Sequence, residues 1–254
     1  MLTLYFSGTG NTKYIAELFS KKMDARCFSI EGDQDFATEI KANDTIAFCY
    51  PIYCSRVPRI MREFVHKHMD ELKGKKIVIL VTQMFFSGDG ARVFTEMFED
   101  DAIEVVYAEH FDMPLNMGNT FVLDLWKPTD KLVQRYIKNA EARMARVCED
   151  IKNGMVKKRG FAHGSVWLGY IQGIPWKKFE KVGLSSVKIH ESCTACNICI
   201  KKCPMENLVN SEGQIKQMNN CIVCYRCVNV CPKKAISVLL HRRPKWQYIK
   251  LQLS

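Results

Sequence analysis

Apolar and polar residues follow one another in blocks over residues 1–153, and these blocks predict alternating strands and helices. The clearest strand is Lys76 to Thr82. Its residues 77–81 form a continuous apolar run of the kind found in strands buried on both faces of a parallel sheet. The other predicted elements are strands at residues 2–6, 27–30, 45–49 and 103–111, and helices at residues 11–22, 58–68, 91–98 and 129–153. This alternation, with short connections, predicts a doubly wound α/β domain with a five-stranded parallel sheet.

The pattern changes after residue 153. The segment that follows is basic and rich in glycine and aromatic residues, and we expect it to be a linker. Beyond it, eight of the 12 cysteines are clustered, and a basic tail comes last. The expected divisions are residues 1–153, 154–187, 188–240 and 241–254.

Composition and charge narrow the class of protein. With 47% apolar and 25% charged residues, the chain is neither disordered nor fibrous. No apolar run approaches the roughly 20 residues of a membrane span, and the N-terminus lacks the pattern of a secretory signal. We therefore expect a cytoplasmic location, where reducing conditions disfavour disulfides between the clustered cysteines.

The cysteines form two runs of identical spacing, offset by 28 residues. The first run is Cys193-x2-Cys196-x2-Cys199-x3-Cys203-Pro204, and the second is Cys221-x2-Cys224-x2-Cys227-x3-Cys231-Pro232. Structural zinc sites usually use two CxxC pairs, which would leave the third cysteine and the Cys-Pro of each run without a role. Three thiolates this close together are instead typical of ligands to one cubane cluster.

The two runs resemble the bacterial two-cluster ferredoxins, in which the fourth cysteine of each run binds the other cluster. On that pattern, one [4Fe–4S] cluster is held by Cys193, Cys196, Cys199 and Cys231. The second [4Fe–4S] cluster is held by Cys221, Cys224, Cys227 and Cys203. The resemblance implies a small α+β ferredoxin domain.

The first predicted strand leads into a glycine-rich turn at the start of a helix. The residues there are Ser7, Gly8, Thr9, Gly10, Asn11 and Thr12. Glycines allow a close backbone approach, and the helix N-terminus offers free N–H groups with a partial positive charge. The turn therefore predicts a phosphate site, although its glycine spacing fits neither the Rossmann nor the Walker A motif.

This turn resembles the FMN phosphate loop of flavodoxins, and two further loops extend the resemblance. The loop after the third strand, which resembles one that stacks an aromatic residue on the isoalloxazine ring, contains Pro51, Ile52, Tyr53 and Cys54. The second isoalloxazine loop would contain Thr82, Phe86, Ser87, Gly88, Asp89 and Gly90. Ligands of doubly wound folds bind at the carboxyl ends of the strands, so we expect all of these residues to bind FMN. Core packing is the alternative for the two aromatic residues.

The whole chain resembles a flavodoxin–ferredoxin fusion protein of anaerobic bacteria and archaea. The resemblance implies electron transfer between FMN and two [4Fe–4S] clusters, in a carrier that serves redox proteins of anaerobic metabolism. The alternative is an FMN-dependent reductase of a small-molecule acceptor such as a quinone, fed by its own ferredoxin domain. No catalytic residue stands out for either function.

The charge distribution bears on partners. Residues 1–152 carry a net charge of −3, whereas residues 153–254 carry +13. We expect the basic half to meet an acidic redox protein. An anionic membrane surface is a weaker alternative, and nucleic acid is weaker still.

Overall fold

The computed structural model describes residues 1–84, 86–99, 102–119 and 127–248. Its main feature is a parallel sheet in the strand order β2-β1-β3-β4-β5-β6. The strands are β1 (Leu2–Tyr5), β2 (Arg26–Ser29), β3 (Thr45–Pro51), β4 (Lys76–Gln83), β5 (Glu104–Asp112) and β6 (Lys157–Lys158). The order confirms the predicted flavodoxin-like, doubly wound fold.

Helices cover both faces of this sheet, and each face has its own apolar core. The helices of the first domain are α1 (Asn11–Met23), α2 (Phe36–Lys41), α3 (Arg59–Lys67), α4 (Met69–Leu72), a 3₁₀ helix (Arg92–Met97) and α5 (Asp130–Lys152). On one face, Phe19 of α1 and Met144 of α5 pack together. On the other face, Met61 and Val65 of α3 pack against the sheet. The apolar stripes of these helices explain why their positions could be predicted.

The sheet has one strand more than the five predicted. This strand, β6, pairs in parallel with Tyr107 and Ala108 of β5. It consists of two exposed lysines, so no apolar pattern marks it in the sequence. The segment predicted as a helix at residues 91–98 is the short 3₁₀ helix.

The segment 154–187, expected to be a linker, contains two helices beyond β6. These are α6 (His163–Gly173) and α7 (Trp176–Leu184). Gly88 of the first domain lies directly against the backbone of Gly169 in α6, and Arg56 lies against Gly173. Because these glycines have no side chains, α6 packs closely on the loops at the end of the sheet.

The C-terminal domain is small and is built around the cysteine runs. Its elements are β7 (Lys188–Ile189), α8 (Ile198–Lys201), β8 (Leu208–Ser211), β9 (Gln214–Gln217), α9 (Arg226–Val230) and β10 (Ile236–Ser237). Its antiparallel pairs β8–β9 and β7–β10 confirm the expected α+β architecture. Val228, Ala235 and Ile236 form part of its core.

The basic tail is described as far as residue 248, and residues 249–254 lie outside the described part. Trp246 and Tyr248 are buried in a cluster with Leu115 of the first domain. The tail therefore packs on the flavodoxin-like domain. None of the helices that the structure describes is long and apolar enough to cross a lipid bilayer.

Candidate functional site

The turn between β1 and α1 depends on two glycines. Gly10 has a φ of 111°, in a region that favours glycine, and its N–H donates a hydrogen bond to Ser7 Oγ (3.1 Å). Gly8 faces the second cysteine run, and a Cβ at this position would lie 2.5 Å from the carbonyl oxygen of Cys224. One glycine is required for the backbone angle and the other for contact between the two domains.

A cavity of about 380 Å³ opens at the carboxyl ends of β1, β3 and β4. Its volume is in the usual range of small-molecule sites, about 300–1,000 Å³. The predicted FMN residues that line it are Ser7, Gly8, Thr9, Asn11, Thr12, Pro51, Ile52, Tyr53, Cys54 and Thr82. Among the described residues of the lining, none is acidic, which suits an anionic ligand. Hydroxyl and amide groups for a phosphate and an apolar, aromatic wall for a ring are both present, so the residues fit FMN.

The remaining predicted FMN residues do not line this cavity. They are Gly10, Phe86, Ser87, Gly88, Asp89 and Gly90. Asp89 is buried and forms ion pairs with Arg56 (3.6 Å) and Arg92 (2.5 Å), and Gly88 packs on α6. Phe86 is 64% exposed, which also excludes core packing for this side chain. This loop therefore supports the residues around the cavity from outside.

Sequence reasoning missed much of the cavity wall. The further lining residues are Gln83, Met84, Met113, Pro114, Leu115, Asn116, Met117, Trp176, Phe179, Val223, Tyr225 and Leu239. Trp176 of α7 lies over Tyr53, with 5.8 Å between ring centroids. The high aromatic content of residues 154–187 was a signal that an aromatic residue such as Trp176 lines the cavity. No sequence motif indicates that Leu239 does so.

The loop after β3 contains a tight turn. Tyr53 and Arg56 exchange two backbone hydrogen bonds of 3.1 and 3.0 Å, with Cys54 and Ser55 between them. Both central residues have left-handed φ values, 49° and 58°, which are uncommon and strained for residues other than glycine. Gln172 of α6 supports the turn by accepting a hydrogen bond from Ser55 Oγ.

The turn at residues 7–12, which we call the phosphate turn, is held by hydrogen bonds to distant parts of the chain. The hydroxyls of Thr12 and Thr82 share a hydrogen bond of 2.7 Å. Asn11 Nδ2 donates to the carbonyl oxygen of Pro114 (2.8 Å), and Tyr248 Oη donates to Asn11 Oδ1 (2.7 Å). The start of α1 is therefore fixed by the loop after β5 and by the C-terminal tail.

The eight clustered cysteines surround two separate small cavities. The first cavity is lined by Cys193, Cys196, Cys199 and Cys231. The second is lined by Cys203, Cys221, Cys224 and Cys227. These are the two ligand sets of the crossed ferredoxin pattern, and four thiolates around each cavity fit a [4Fe–4S] cluster.

The backbone of the cysteine runs repeats with the same 28-residue offset as the sequence. The residue pairs Ala195 and Val223, Asn197 and Tyr225, and Glu206 and Lys234 all have positive φ. Backbone N–H groups donate to Sγ of Cys193, Cys203, Cys221 and Cys231, at 3.2–3.4 Å. Such N–H···S contacts orient thiolate ligands and influence the reduction potential of a bound cluster.

Several of these thiols are buried, and burial shifts their pKa upwards. Desolvation raises the pKa of Cys224 to about 12 and the pKa values of Cys199 and Cys221 to about 11, with a contribution from neighbouring cysteines. Buried thiolates are therefore unfavourable unless a cation compensates their charge. Iron in a bound cluster supplies that positive charge.

The site lined by Cys203, Cys221, Cys224 and Cys227, which we call the second cluster site, adjoins the FMN cavity. Arg226 connects the two. Its guanidinium forms an ion pair with Glu31 (2.6 Å) and donates hydrogen bonds to the carbonyl oxygens of Ser7 (2.7 Å) and Gly8 (3.2 Å). It also donates to the carbonyl oxygen of Lys202 (3.2 Å), which precedes Cys203. One side chain thus contacts the phosphate turn and both cysteine runs.

Two protein-family models match separate parts of the chain. A flavodoxin domain model matches residues 2–116, and a 4Fe-4S dicluster domain model matches residues 192–236. These domains imply FMN and two [4Fe–4S] clusters, which confirms the expected cofactors, and they give the chain a role in electron transfer with redox partners. No curated protein matches the sequence.

Several solved structures are similar to part of the chain. Megasphaera elsdenii flavodoxin has 18% identity, with 56% of this chain and 99% of that chain covered and a TM-score of 0.39. Bacillus cereus flavodoxin 2 has 20% identity, coverage of 57% and 97%, and a TM-score of 0.39. The Trp repressor binding protein of Bacillus subtilis has 14% identity, coverage of 57% and 96%, and a TM-score of 0.42.

Proposed function

We propose that this chain, in which a flavodoxin domain is joined to a 4Fe-4S dicluster domain, transfers electrons internally between FMN and two [4Fe–4S] clusters. In doing so it carries electrons between redox proteins of anaerobic metabolism in the cytoplasm. The observation that supports this function is the shared wall between the two sites: Val223, Cys224 and Tyr225 of the second cysteine run line the FMN cavity. When bound, FMN supplies a two-electron carrier that also moves electrons singly, and each cluster supplies a one-electron carrier.

The chain's own residues determine the order of the sites. Cys224 lies between the FMN cavity and the second cluster site, because it lines both. The four cysteines of the first cluster site are not among the described residues that line that cavity, and Cys196 is exposed at the surface. We therefore propose that a redox partner docks at the first site and that the second site connects it with FMN.

The surroundings of the first site favour an acidic partner. Lys201 and Lys202 follow Cys199 and are exposed, and the exposed Lys233 lies in the wall of the site beside Cys231. Positive charge around a redox site steers an acidic protein towards it and makes association sensitive to ionic strength.

Cysteine variants of the anaerobically purified protein test this order. The wild type should contain one FMN and about eight irons per chain. Cys224→Ser should retain FMN, but reduction of FMN by a reduced acidic ferredoxin should slow by roughly tenfold or more. The matched control is Cys148→Ser, a buried cysteine outside the cluster sites that should leave iron content and rate unchanged.

The same experiment can contradict the proposal. If FMN in Cys224→Ser is reduced as fast as in the wild type while cluster iron is lost, electrons do not pass through the second site. A colourless, zinc-loaded protein would exclude the cluster function altogether. Reduction of a quinone faster than by free FMN would instead favour the small-molecule reductase.

A further inference from the structure

Helix α6 presents an apolar stripe to solvent. The outward side chains are Trp167, Tyr170 and Ile171 of the helix and Ile174 directly after it, which are 67%, 66%, 42% and 63% exposed. Their spacing of three, four and seven residues places them on one face of the helix. The opposite, inner face carries Gly169, which is buried against the loops beside the FMN cavity. The usual arrangement, with large apolar residues inside, is therefore reversed in this helix.

The surroundings of the stripe are basic. Residues 154–187 contain six Lys or Arg residues and a single acidic residue, Glu180. Glu180 forms an ion pair with Arg62 (2.6 Å), so its charge is already compensated. Lys178 and Lys181 are exposed on the next helix, α7. The surface combines apolar side chains with positive charge.

We propose that the α6 stripe docks on an anionic lipid bilayer, with Trp167 and Tyr170 at the level of the headgroups. Trp and Tyr favour this region because each joins a large apolar ring to a polar group. Lysines beside an apolar helix face add attraction to anionic lipids. Docking of this kind is peripheral, since α6 lies along the surface.

A second copy of the chain fits the stripe less well. The four outward side chains expose roughly 500 Å² of apolar surface, if a large side chain offers about 150–250 Å². This is the size of a functional surface patch, but it is below the roughly 800 Å² that each partner buries in a standard protein interface. Two copies would also bring their basic segments together.

The inference depends on the surface of α6 and does not depend on the path of the electrons. It does have a consequence for the site, because the inner face of α6 contacts the loops at residues 54–56 and 87–89. Docking would hold these loops, and with them the FMN cavity, close to the membrane surface.

Vesicle flotation of the intact, cofactor-loaded protein tests the proposal. The protein should associate with phosphatidylcholine vesicles that contain phosphatidylglycerol, and association should weaken with added salt and in pure phosphatidylcholine. Ile174→Ser should reduce the partition coefficient by roughly tenfold. The matched control is Met218→Ser in the C-terminal domain, which changes another apolar residue of 57% exposure and should leave partitioning unchanged.

A second variant places the contact at the bilayer. Trp167→Phe keeps an apolar ring and should bind vesicles with similar affinity, but it should lose much of the fluorescence quenching that brominated lipids cause in the wild type. An unchanged visible spectrum would show that both variants keep their cofactors.

Three results would overturn the proposal. The first is a wild-type protein that does not bind anionic vesicles at low ionic strength. The second is an Ile174→Ser variant that binds as well as the wild type. The third is a lipid-free dimer, seen by analytical ultracentrifugation, that Ile174→Ser dissociates, since the stripe would then be an interface between two copies.

Discussion

Arg226 is one of the residues that join the two domains. It lies between the ligands Cys224 and Cys227 in sequence, and its guanidinium reaches the phosphate turn and Glu31. The side chains of this ion pair are only 19% and 22% exposed, so solvent and salt screen the pair weakly. A charge in such a position is costly to leave without its partner.

Replacement of Arg226 by Ala should therefore destabilise the protein by about 1–3 kcal/mol, because Glu31 and three carbonyl oxygens lose their donor. FMN affinity should fall as well, since the phosphate turn loses its support. Thermal unfolding and FMN titration measure the two effects. Lys73→Ala, which removes a fully exposed ion pair with Asp70, is the control and should change neither quantity. Unchanged unfolding of Arg226→Ala would show that the domain contact does not depend on this residue.

His110 is a second residue with a measurable consequence. It is buried near the end of β5, and burial together with the charges of Arg159 and Arg143 lowers its pKa to about 3. In the unfolded chain its pKa is about 6.5. Between these values the unfolded state binds a proton that the folded state does not, so folding stability is complete above pH 6.5 and falls as the pH decreases.

His110→Gln should remove this part of the pH dependence. The wild type should lose about 1 kcal/mol from this group between pH 7.5 and pH 5.5, and the variant should not. Denaturant unfolding at the two pH values measures the difference. Equal slopes for the two proteins would contradict the shift in the pKa of His110.

At the scale of elements, helix α6 is the main addition to what the sequence predicted. Gln172 on its inner face accepts hydrogen bonds from the Gly88 N–H (2.9 Å) and from Ser55 Oγ. It therefore connects two loops that follow different strands of the sheet. The strained turn at Cys54 and Ser55 depends on this support.

Gln172→Ala should loosen both loops and weaken FMN binding several-fold. It should also cost about 1 kcal/mol of stability, because the Ser55 hydroxyl loses its acceptor while the Gly88 N–H keeps its hydrogen bond to Ser55 Oγ. Isothermal titration of the flavin-free protein with FMN measures the affinity. Gln134→Ala, an exposed glutamine on α5, serves as the matched control. An affinity equal to that of the control would show that α6 does not support the FMN site.

The predicted and observed elements show which signals the sequence contains. Strand β4 and helix α5 have strong apolar patterns, and both lie within two residues of their predicted bounds. Strand β6 was missed because it gains its stability from pairing with β5 and has no apolar residue. Helix α6 was taken as a linker because its segment contains three glycines as well as aromatic residues, although its large apolar residues have helical spacing.

The same reasoning applies to the candidate site. The phosphate turn and the cysteine spacing are local motifs, and the residues of each lie together as their patterns indicate. Trp176 and Leu239 reach the FMN cavity only through contacts between domains. Such contacts depend on tertiary packing, which a local pattern does not record.

At the scale of the whole molecule, the C-terminal tail contacts both domains. Gln247 Nε2 donates to the carbonyl oxygens of Val228 (2.8 Å) and Cys231 (2.7 Å), and the neighbouring Tyr248 reaches Asn11 at the start of α1. The tail thus connects the cysteine domain with the phosphate turn. The tail is therefore a structural link between the two domains as well as a basic segment.

Tyr248→Phe removes the hydroxyl that donates to Asn11 and should destabilise the protein by about 1 kcal/mol. Tyr170→Phe makes the same chemical change on the exposed face of α6 and should have no effect on unfolding. Differential scanning calorimetry of the two variants provides the comparison. Similar melting temperatures for both would show that the tail contact contributes no stability.

The wall that the FMN cavity shares with the second cluster site also links the binding of FMN to the binding of iron. Residues 223–225 complete this wall, and they lie among cysteines that are costly to ionise before iron arrives. A chain that has not yet received iron should therefore bind FMN less tightly than the mature protein does. Cells starved of iron should accumulate a chain without clusters that retains FMN, but more weakly.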